Sequence, residues 1–144
     1  MPPEWKNFTL KTLENKAPTT PLSYAANLSE SLKDGIMNNT RLLLIPDVSQ
    51  ASDSTLSIEG SINSYNITPL AIQDGDVAAQ NRLTISASFT IYVTLPEEDE
   101  MTVTSTRFVD YDADTDVATI ESTLLEDVNA QIIQDVINKL LSNW

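Results

Sequence analysis

Apolar and polar residues alternate most strictly between Gln80 and Leu95, and this pattern predicts one long β-strand. Every second residue from Leu83 onward is apolar, and the residues between them carry hydroxyl groups. The hydroxyl-bearing residues are Thr84, Ser86, Ser88, Thr90, Tyr92 and Thr94. β-Branched and aromatic side chains suit the pleated surface of a sheet. Because this polar face carries no charged residue, we expect it to lie against another surface.

Weaker alternation predicts three further strands, which are Trp5–Leu13 at a sheet edge, Thr55–Ile67 and Met101–Tyr111. The short apolar run Leu42–Ile45, which ends at Pro46, predicts a brief buried strand. The acidic stretch 96–100 (PEEDE) predicts the turn through which Met101–Tyr111 pairs antiparallel with the long strand. Gly60, on the apolar face of its strand, indicates a bulge or a close approach of backbone.

Two segments repeat apolar residues every three or four positions and predict amphipathic helices. The first begins at Thr20-Pro21, with the Thr20 hydroxyl as N-cap and Pro21 at the first helical position, and it ends near Asn38-Asn39. Its apolar stripe is Leu22, Ala25, Leu28, Leu32 and Ile36. The second helix covers Asp116–Trp144, and its stripe is Ile120, Leu124, Val128, Ile132, Val136 and Leu140. About 26 helical residues extend roughly 39 Å, so we expect this helix to lie along the long strand.

These elements predict a single α+β domain over residues 1–144. Helices and strands that are apolar on one side bury that side in a two-layer sandwich. We therefore expect two helices packed on one face of a mixed, mainly antiparallel sheet of four to five strands. The face rich in serine and threonine is then left for water or a partner.

Composition excludes several classes of function. The chain of 144 residues has 21 acidic and 8 basic residues, a net charge of -13, which disfavours binding to nucleic acid phosphates. It contains no cysteine and no histidine, so disulfides, thiol nucleophiles and imidazole bases are absent. The sequence contains no catalytic motif and no cofactor motif. We therefore predict a protein that is not an enzyme and that uses no cofactor.

One acidic segment is a candidate calcium loop. Counted from Asp110, acidic residues occupy positions 1, 3, 5, 7 and 12, and oxygen ligands at such spacing can wrap a hard cation. The candidate ligands are Asp110, Asp112, Asp114 and Glu121. A threonine replaces the glycine of a typical loop, and a strand precedes the segment. The simpler interpretation is that these acids cap the second helix at its positive end.

Several stretches in chain order resemble the LptE family of outer-membrane lipoproteins, and most closely its Bacteroidetes branch. They are PPE (2–4), KNFTLKTLENKAPTTPLS (6–23), SLKDGIMNNTRLLL (31–44), GSINSYNITPLAIQDGDVAAQNRLTISASFTIYV (60–93), RFVDYDAD (107–114) and the final Asn143-Trp144. The most specific part is DVAAQNRLT (76–84), followed by 64–69. The likeness extends over nearly the whole chain.

The resemblance implies a non-enzymatic component of lipopolysaccharide transport that plugs and supports an LptD-like β-barrel. It also implies two helices on one side of a mainly four-stranded sheet, and a position at the periplasmic face of the outer membrane. Members of the family are anchored through a lipidated N-terminal cysteine. We expect that cysteine upstream of Pro2, after a signal peptide. Lipopolysaccharide is a second candidate partner, although Lys6, Lys11 and Lys16 form no basic cluster.

The predicted partner-binding residues lie on the uncharged strand face or in the segments of strongest resemblance. They are Thr84, Ser86, Ser88, Thr90, Tyr92, Tyr65, Pro69 and Arg82. Loop 68–79 is a second candidate contact. The alternative is a periplasmic or surface module that binds a small apolar or glycan ligand between the helices and the sheet. A sizeable pocket there would favour this alternative.

Overall fold

The computed structural model describes residues 1–46, 48–70, 80–113 and 117–142, apart from the side chains of residues 48 and 117–122. In chain order the elements are β1 (Asn7–Leu10), β2 (Glu14–Asn15), α1 (Tyr24–Asn39), β3 (Leu43–Leu44), a 3₁₀ turn (Val48–Gln50), β4 (Thr55–Pro69), β5 (Gln80–Val93), β6 (Asp99–Asp112) and α2 (Val117–Leu141). Two helices and a mixed open sheet confirm the predicted α+β class.

The described residues form a sheet of six strands, whose main path runs β3-β1-β4-β5-β6. Strand β1 is parallel to both β3 and β4, and β2 also pairs with β4, whereas β4, β5 and β6 form an antiparallel meander. The predicted strand Trp5–Leu13 is therefore divided, and β1 lies inside the sheet. Its prediction as an edge strand was wrong because Leu43–Leu44 adds a short strand outside it.

The core lies between one sheet face and the two helices. Alternate residues of β5 from Leu83 to Ile91 are buried, as the period of two predicts. Most of the two helical stripes is confirmed, since Leu28, Leu32 and Ile36 of α1 and Val128, Ile132, Val136 and Leu140 of α2 are fully buried. Ala25 and Leu124 are partly buried, and the side chain of Ile120 lies outside the described residues. Both helices pack on this face, so no helix of the described residues lies on the opposite face of the sheet.

Helix α1 begins at Tyr24, later than the Thr20-Pro21 signal predicted. Backbone turns occupy the preceding residues, with the Thr20 N–H bonded to the Ala17 carbonyl and the Tyr24 N–H bonded to the Pro21 carbonyl. The Thr20 side chain is buried in this turn and does not cap the helix. Leu22, predicted in the apolar stripe, is therefore fully exposed.

Helix α2 was predicted to lie along β5, but it lies mainly along β6. The two helices share one sheet face, and each is about 10 Å wide against a strand spacing of about 4.8 Å. Contact between α1 and α2 near Gly35 and Ile133 thus moves α2 toward the β6 edge. Residues 116, 143 and 144 of the predicted helix lie outside the described residues. Within the described ranges, no helix is both long enough and apolar enough to cross a bilayer.

A salt bridge fastens α2 to β6. The Arg107 guanidinium donates to both Asp135 carboxylate oxygens at 2.6 and 3.0 Å, and the Ser105 hydroxyl donates at 2.6 Å. The bonds from Arg107, followed by the bond from Ser105, lower the pKa of Asp135. A pKa lowered by folding stabilises the protein above the unfolded value of about 3.9, and that stabilisation is lost as pH falls through the folded value.

We expect Asp135→Asn to reduce the free energy of unfolding by about 1 kcal/mol at pH 7, since it removes a charge-assisted bond that is partly exposed. Urea unfolding of both proteins between pH 7 and pH 3 should show the difference shrinking in the acid range. The control is Asp110→Asn, which removes a similar pair with Arg82. The Asp110 carboxylate is more exposed than that of Asp135, and Asp135 also accepts a bond from Ser105, so the control should change stability less. A difference for Asp135→Asn that does not vary with pH would contradict this assignment.

Candidate functional site

The sheet face turned away from the helices is formed by alternate residues of β4, β5 and β6, and we call it the hydroxyl face. It comprises Ser57, Glu59, Ser61, Ser64, Asn66 and Thr68 of β4, Arg82, Thr84, Ser86, Ser88, Thr90 and Tyr92 of β5, and Glu100, Thr102, Thr104, Thr106, Phe108 and Asp110 of β6. All are partly or fully exposed, in contrast to the buried residues between them on β5.

The centre of the hydroxyl face is uncharged and consists of short rows across three strands. One row is Ser64, Ser86 and Thr106, and the Thr106 hydroxyl lies 3.1 Å from the Ser86 oxygen. In the next row, the Asn63 amide donates to the Ser88 hydroxyl at 2.7 Å. A hydroxyl has one donor and two acceptor positions, so these rows keep free hydrogen-bonding capacity for a partner.

Charged groups lie toward the two ends of the hydroxyl face. At one end Arg82 binds Asp110 through two hydrogen bonds of 2.7 and 3.1 Å, and its guanidinium carbon lies 4.0 Å from the centre of the Phe108 ring. The bond from Arg82 lowers the pKa of Asp110. The Phe108 side chain is still 51% exposed. This end of the hydroxyl face therefore presents the exposed Phe108 ring, stacked on the Arg82 guanidinium, whose charge is balanced by Asp110.

At the other end, the Tyr92 hydroxyl donates to a Glu59 carboxylate oxygen at 3.0 Å, which raises the pKa of Tyr92. Glu59 lies beside Thr90 on the neighbouring strand. The prediction of an uncharged surface therefore holds for the centre of β5, whereas adjacent strands bring charges close to its ends. The β5 residues alone could not show these charges.

A surface groove of about 570 Å³ borders the hydroxyl face near β2. It is lined by Lys11, Glu14, Lys16, Glu59, Gly60, Ser61, Asn63, Ser88 and Thr90. Lysines and glutamates line it in equal number, so it does not form a basic patch for phosphate groups.

The structure brings together six of the eight predicted partner-binding residues. They are Arg82, Thr84, Ser86, Ser88, Thr90 and Tyr92, all on the hydroxyl face. Tyr65 points to the helix side, where it is 4% exposed and its ring lies edge-on at 5.6 Å from that of Tyr24. Pro69, exposed at the end of β4, lies opposite Asn81 and outside the hydroxyl face.

A β-bulge explains the placement of Tyr65. The register of β4 against β5 shifts between Ile62 and Ser64, so the inward positions change from even to odd numbers. One inserted residue moves every later side chain to the other face. Tyr65 thus joins the core, and the serine before it joins the hydroxyl face.

The alternation along β5 alone did not reveal the contribution of β6 to the hydroxyl face. Thr102, Thr104, Thr106 and Phe108 extend the hydroxyl face of β5 by a full strand. The signal that could have identified them is the alternation within Met101–Tyr111, where threonine occupies three successive even positions. These residues share one face with the hydroxyl residues of β5 because the hairpin register pairs Ser86 with Thr106.

The calcium hypothesis stays a prediction. The Asp110 carboxylate is bound by Arg82, and this guanidinium would compete with a metal ion for the carboxylate oxygens. Among the residues described with their side chains, no group of three or more acids is placed to hold a metal ion. Asp114 lies outside the described residues, and so does the side chain of Glu121.

One known protein family matches this chain over most of its length. The model of the LptE family, described as lipopolysaccharide-assembly, matches residues 6–140. A search of curated proteins gave no match.

Solved structures of low sequence identity share the fold. A minor lipoprotein from Acinetobacter baumannii has 16% identity and a TM-score of 0.57, with 96% of this chain and 94% of that one covered. Rare lipoprotein B from Shewanella oneidensis has 14% identity and a TM-score of 0.58, with 93% and 94% covered. A hypothetical protein from Chlamydia trachomatis has 10% identity and a TM-score of 0.63, with 96% and 99% covered.

Proposed function

This chain belongs to the LptE family of lipopolysaccharide-assembly proteins, and we propose on that premise that its hydroxyl face docks in the lumen of an LptD-like outer-membrane β-barrel. In this role the protein plugs and supports the barrel and catalyses no reaction. A lipid anchor would hold it at the periplasmic face of the outer membrane. The proposal assigns barrel contacts to Thr84, Ser86, Ser88 and Thr90, with Tyr92 and Arg82 toward the ends.

The observation that carries the proposal is a sheet face that no described helix covers, with an uncharged, hydrogen-bonding centre three strands wide. The lumen of an outer-membrane barrel is polar. On docking, the hydroxyl groups can replace their hydrogen bonds to water with hydrogen bonds to polar groups of the lumen. Each charge buried without a partner would instead cost several kcal/mol. The composition of the face therefore suits a polar cavity wall.

An exposed aromatic side chain strengthens the case for a protein partner. Phe108 lies at one end of the hydroxyl face, stacked on Arg82. Aromatic residues and arginine are enriched at the energetic centres of protein interfaces. We therefore include Phe108 and the β6 threonines Thr102, Thr104 and Thr106 in the proposed contact surface.

The interface between helices and sheet gives less support to a small-ligand module. Its side chains include Phe89, Ile132 and Val136, all fully buried in one hydrophobic cluster. The groove of about 570 Å³ lies on the opposite side of the sheet. Direct lipopolysaccharide binding is also less supported, since Lys11 and Lys16 share that groove with two glutamates.

We expect the triple variant Ser86→Lys, Ser88→Lys and Thr90→Lys to fold normally but to lose at least about tenfold in co-purification with the barrel protein, because it places three charges in the proposed interface. Far-UV circular dichroism and the urea midpoint check folding. Pull-down of the co-expressed barrel by the tagged chain checks binding.

The matched control is Gln131→Lys, Gln134→Lys and Asn138→Lys, which adds the same charge at exposed positions of α2. We expect this control to retain the barrel. Equal retention of the barrel by both triple variants would overturn the assignment of the hydroxyl face, whereas equal loss would indicate a general effect of charge.

A further inference from the structure

The outer edge of β6 is long, and no strand in the described part of the chain pairs with it. β6 is the last strand of the sheet path, and it pairs with β5 without interruption from Asp99 to Asp112. Among the described residues, no strand pairs with its other side. Alternate N–H and C=O groups of a terminal strand point away from the sheet, so this edge is a template for a further strand.

The β6 edge lacks the features that usually protect an edge strand. Such edges are commonly very short, bulged, interrupted by proline or lined with lysine. The opposite edge, β3, has only two residues, whereas β6 has 14 with no proline, no lysine and no register shift. Its one basic residue, Arg107, points to the helix side and binds Asp135.

The charges near β6 disfavour a second copy of this chain as the added strand. In an antiparallel pair of two β6 strands centred between Ser105 and Thr106, Asp99 of each copy would face Asp112 of the other. Like charges directly opposite one another destabilise a strand pair. The adjoining turn adds Glu97 and Glu98, which make no ion pair within the described part of the chain.

We propose that β6 accepts an extended segment of another protein as a seventh strand, and that this segment carries lysine or arginine at its ends. The charges of that segment would complement the acidic residues at both ends of β6. Between the ends it would alternate apolar and hydroxyl residues. The apolar side chains would extend the row of the half-buried Val103 and Val109, and the hydroxyl side chains would extend the row of Thr104 and Thr106.

This inference does not depend on docking in a barrel. The hydroxyl face docks through side chains of three strands, whereas the proposed strand addition depends on the backbone hydrogen bonds of the β6 edge and on the acidic side chains near its ends. The triple lysine variant on β5 leaves the β6 edge unchanged. Loss of barrel binding without loss of strand addition, or the reverse, therefore distinguishes the two proposals.

The test uses the whole chain and a fluorescein-labelled synthetic peptide, KKVTVTVTVTKK, as the probe. Fluorescence anisotropy measures binding, and amide hydrogen exchange by NMR locates it. We expect saturable binding together with slower exchange at alternate β6 amides. Two analogues, N-methylated at the valines or at the threonines, give the sharpest control, because only one set of peptide N–H groups can face β6. We expect one analogue to lose at least about tenfold in affinity and the other to bind as the parent does.

The charge requirement has a separate control on the protein. The variant Glu97→Gln, Glu98→Gln, Asp99→Asn and Glu100→Gln should bind the peptide about fivefold less tightly at low salt, because exposed ion pairs are individually weak and screened by salt. Absence of peptide binding, equal binding of both methylated analogues, or exchange protection outside β6 would overturn the proposal. Concentration-dependent dimers that protect β6 without peptide would also overturn it, in favour of a second copy.

Discussion

Replacing Phe89 by alanine should lower the free energy of unfolding by about 3–5 kcal/mol, the usual cost of removing a buried aromatic side chain. Phe89 is fully buried on the helix side of β5, opposite Gly60 of β4. The loss combines the missing apolar burial with the cavity that rigid neighbours leave behind. Urea unfolding followed by circular dichroism at pH 7 measures it.

Phe108→Ala is the matched control for Phe89→Ala, because the same side chain is removed from the exposed hydroxyl face. Its ring is 51% exposed and contacts Arg82. We expect a cost below about 1 kcal/mol, since an exposed ring gives up little buried area and one cation–π contact. Similar losses for the two variants would contradict the assignment of helix and solvent sides of the sheet.

The second large effect is expected at Gly60, where a side chain has no space. A Cβ atom there would lie 2.5 Å from the Ser88 carbonyl oxygen, 2.9 Å from Phe89 Cδ1 and 3.1 Å from Leu13 Cδ2. The nearest atom belongs to the paired backbone of β5, which cannot move without loosening the sheet. We expect Gly60→Ala to cost about 2–3 kcal/mol, typical of an overpacked core.

Gly35→Ala is the control for Gly60→Ala. Its Cβ atom would lie 2.6 Å from Ile133 Cγ2, a side-chain atom of a residue only partly buried. Alanine also favours a helix over glycine by about 1 kcal/mol, which offsets part of the repacking. We expect this variant to stay within about 1 kcal/mol of the parent chain in the same urea experiment. A greater loss at Gly35 than at Gly60 would contradict the packing described for both sites.

The predicted close approach at Gly60 is confirmed, and the nearby bulge illustrates a limit of sequence patterns. The space that a side chain of residue 60 would need is filled by atoms of β5 and of Leu13. The register shift occurs two residues later, after Ile62. A bulge changes which face later residues occupy without breaking the run of strand-forming residues. Tyr65, predicted as a partner-binding residue from its segment of strong family resemblance, therefore lies in the core.

Local periodicity was sufficient for the elements and their buried faces. A period of two in β5 and β6, and of three to four in α1 and α2, follows from the geometry of each element by itself. Residues such as Ile85, Phe89, Leu32 and Ile132 were therefore assigned correctly to the core from sequence. The likeness of motifs to one family was also a property of the sequence, and the family model agrees with it.

Only the tertiary structure decided which strands adjoin and where each surface ends. Strand order and register depend on contacts between residues far apart in the chain, which no local pattern encodes. Those contacts place Ser86 beside Thr106, pair Arg82 with Asp110, and leave one edge of β6 without a partner strand among the described residues. The amino-acid sequence determined which side of each element is apolar, because the side chains on one side recur with the period of that helix or strand alone. The shape of the hydroxyl face and the position of the open edge arise only when the elements assemble.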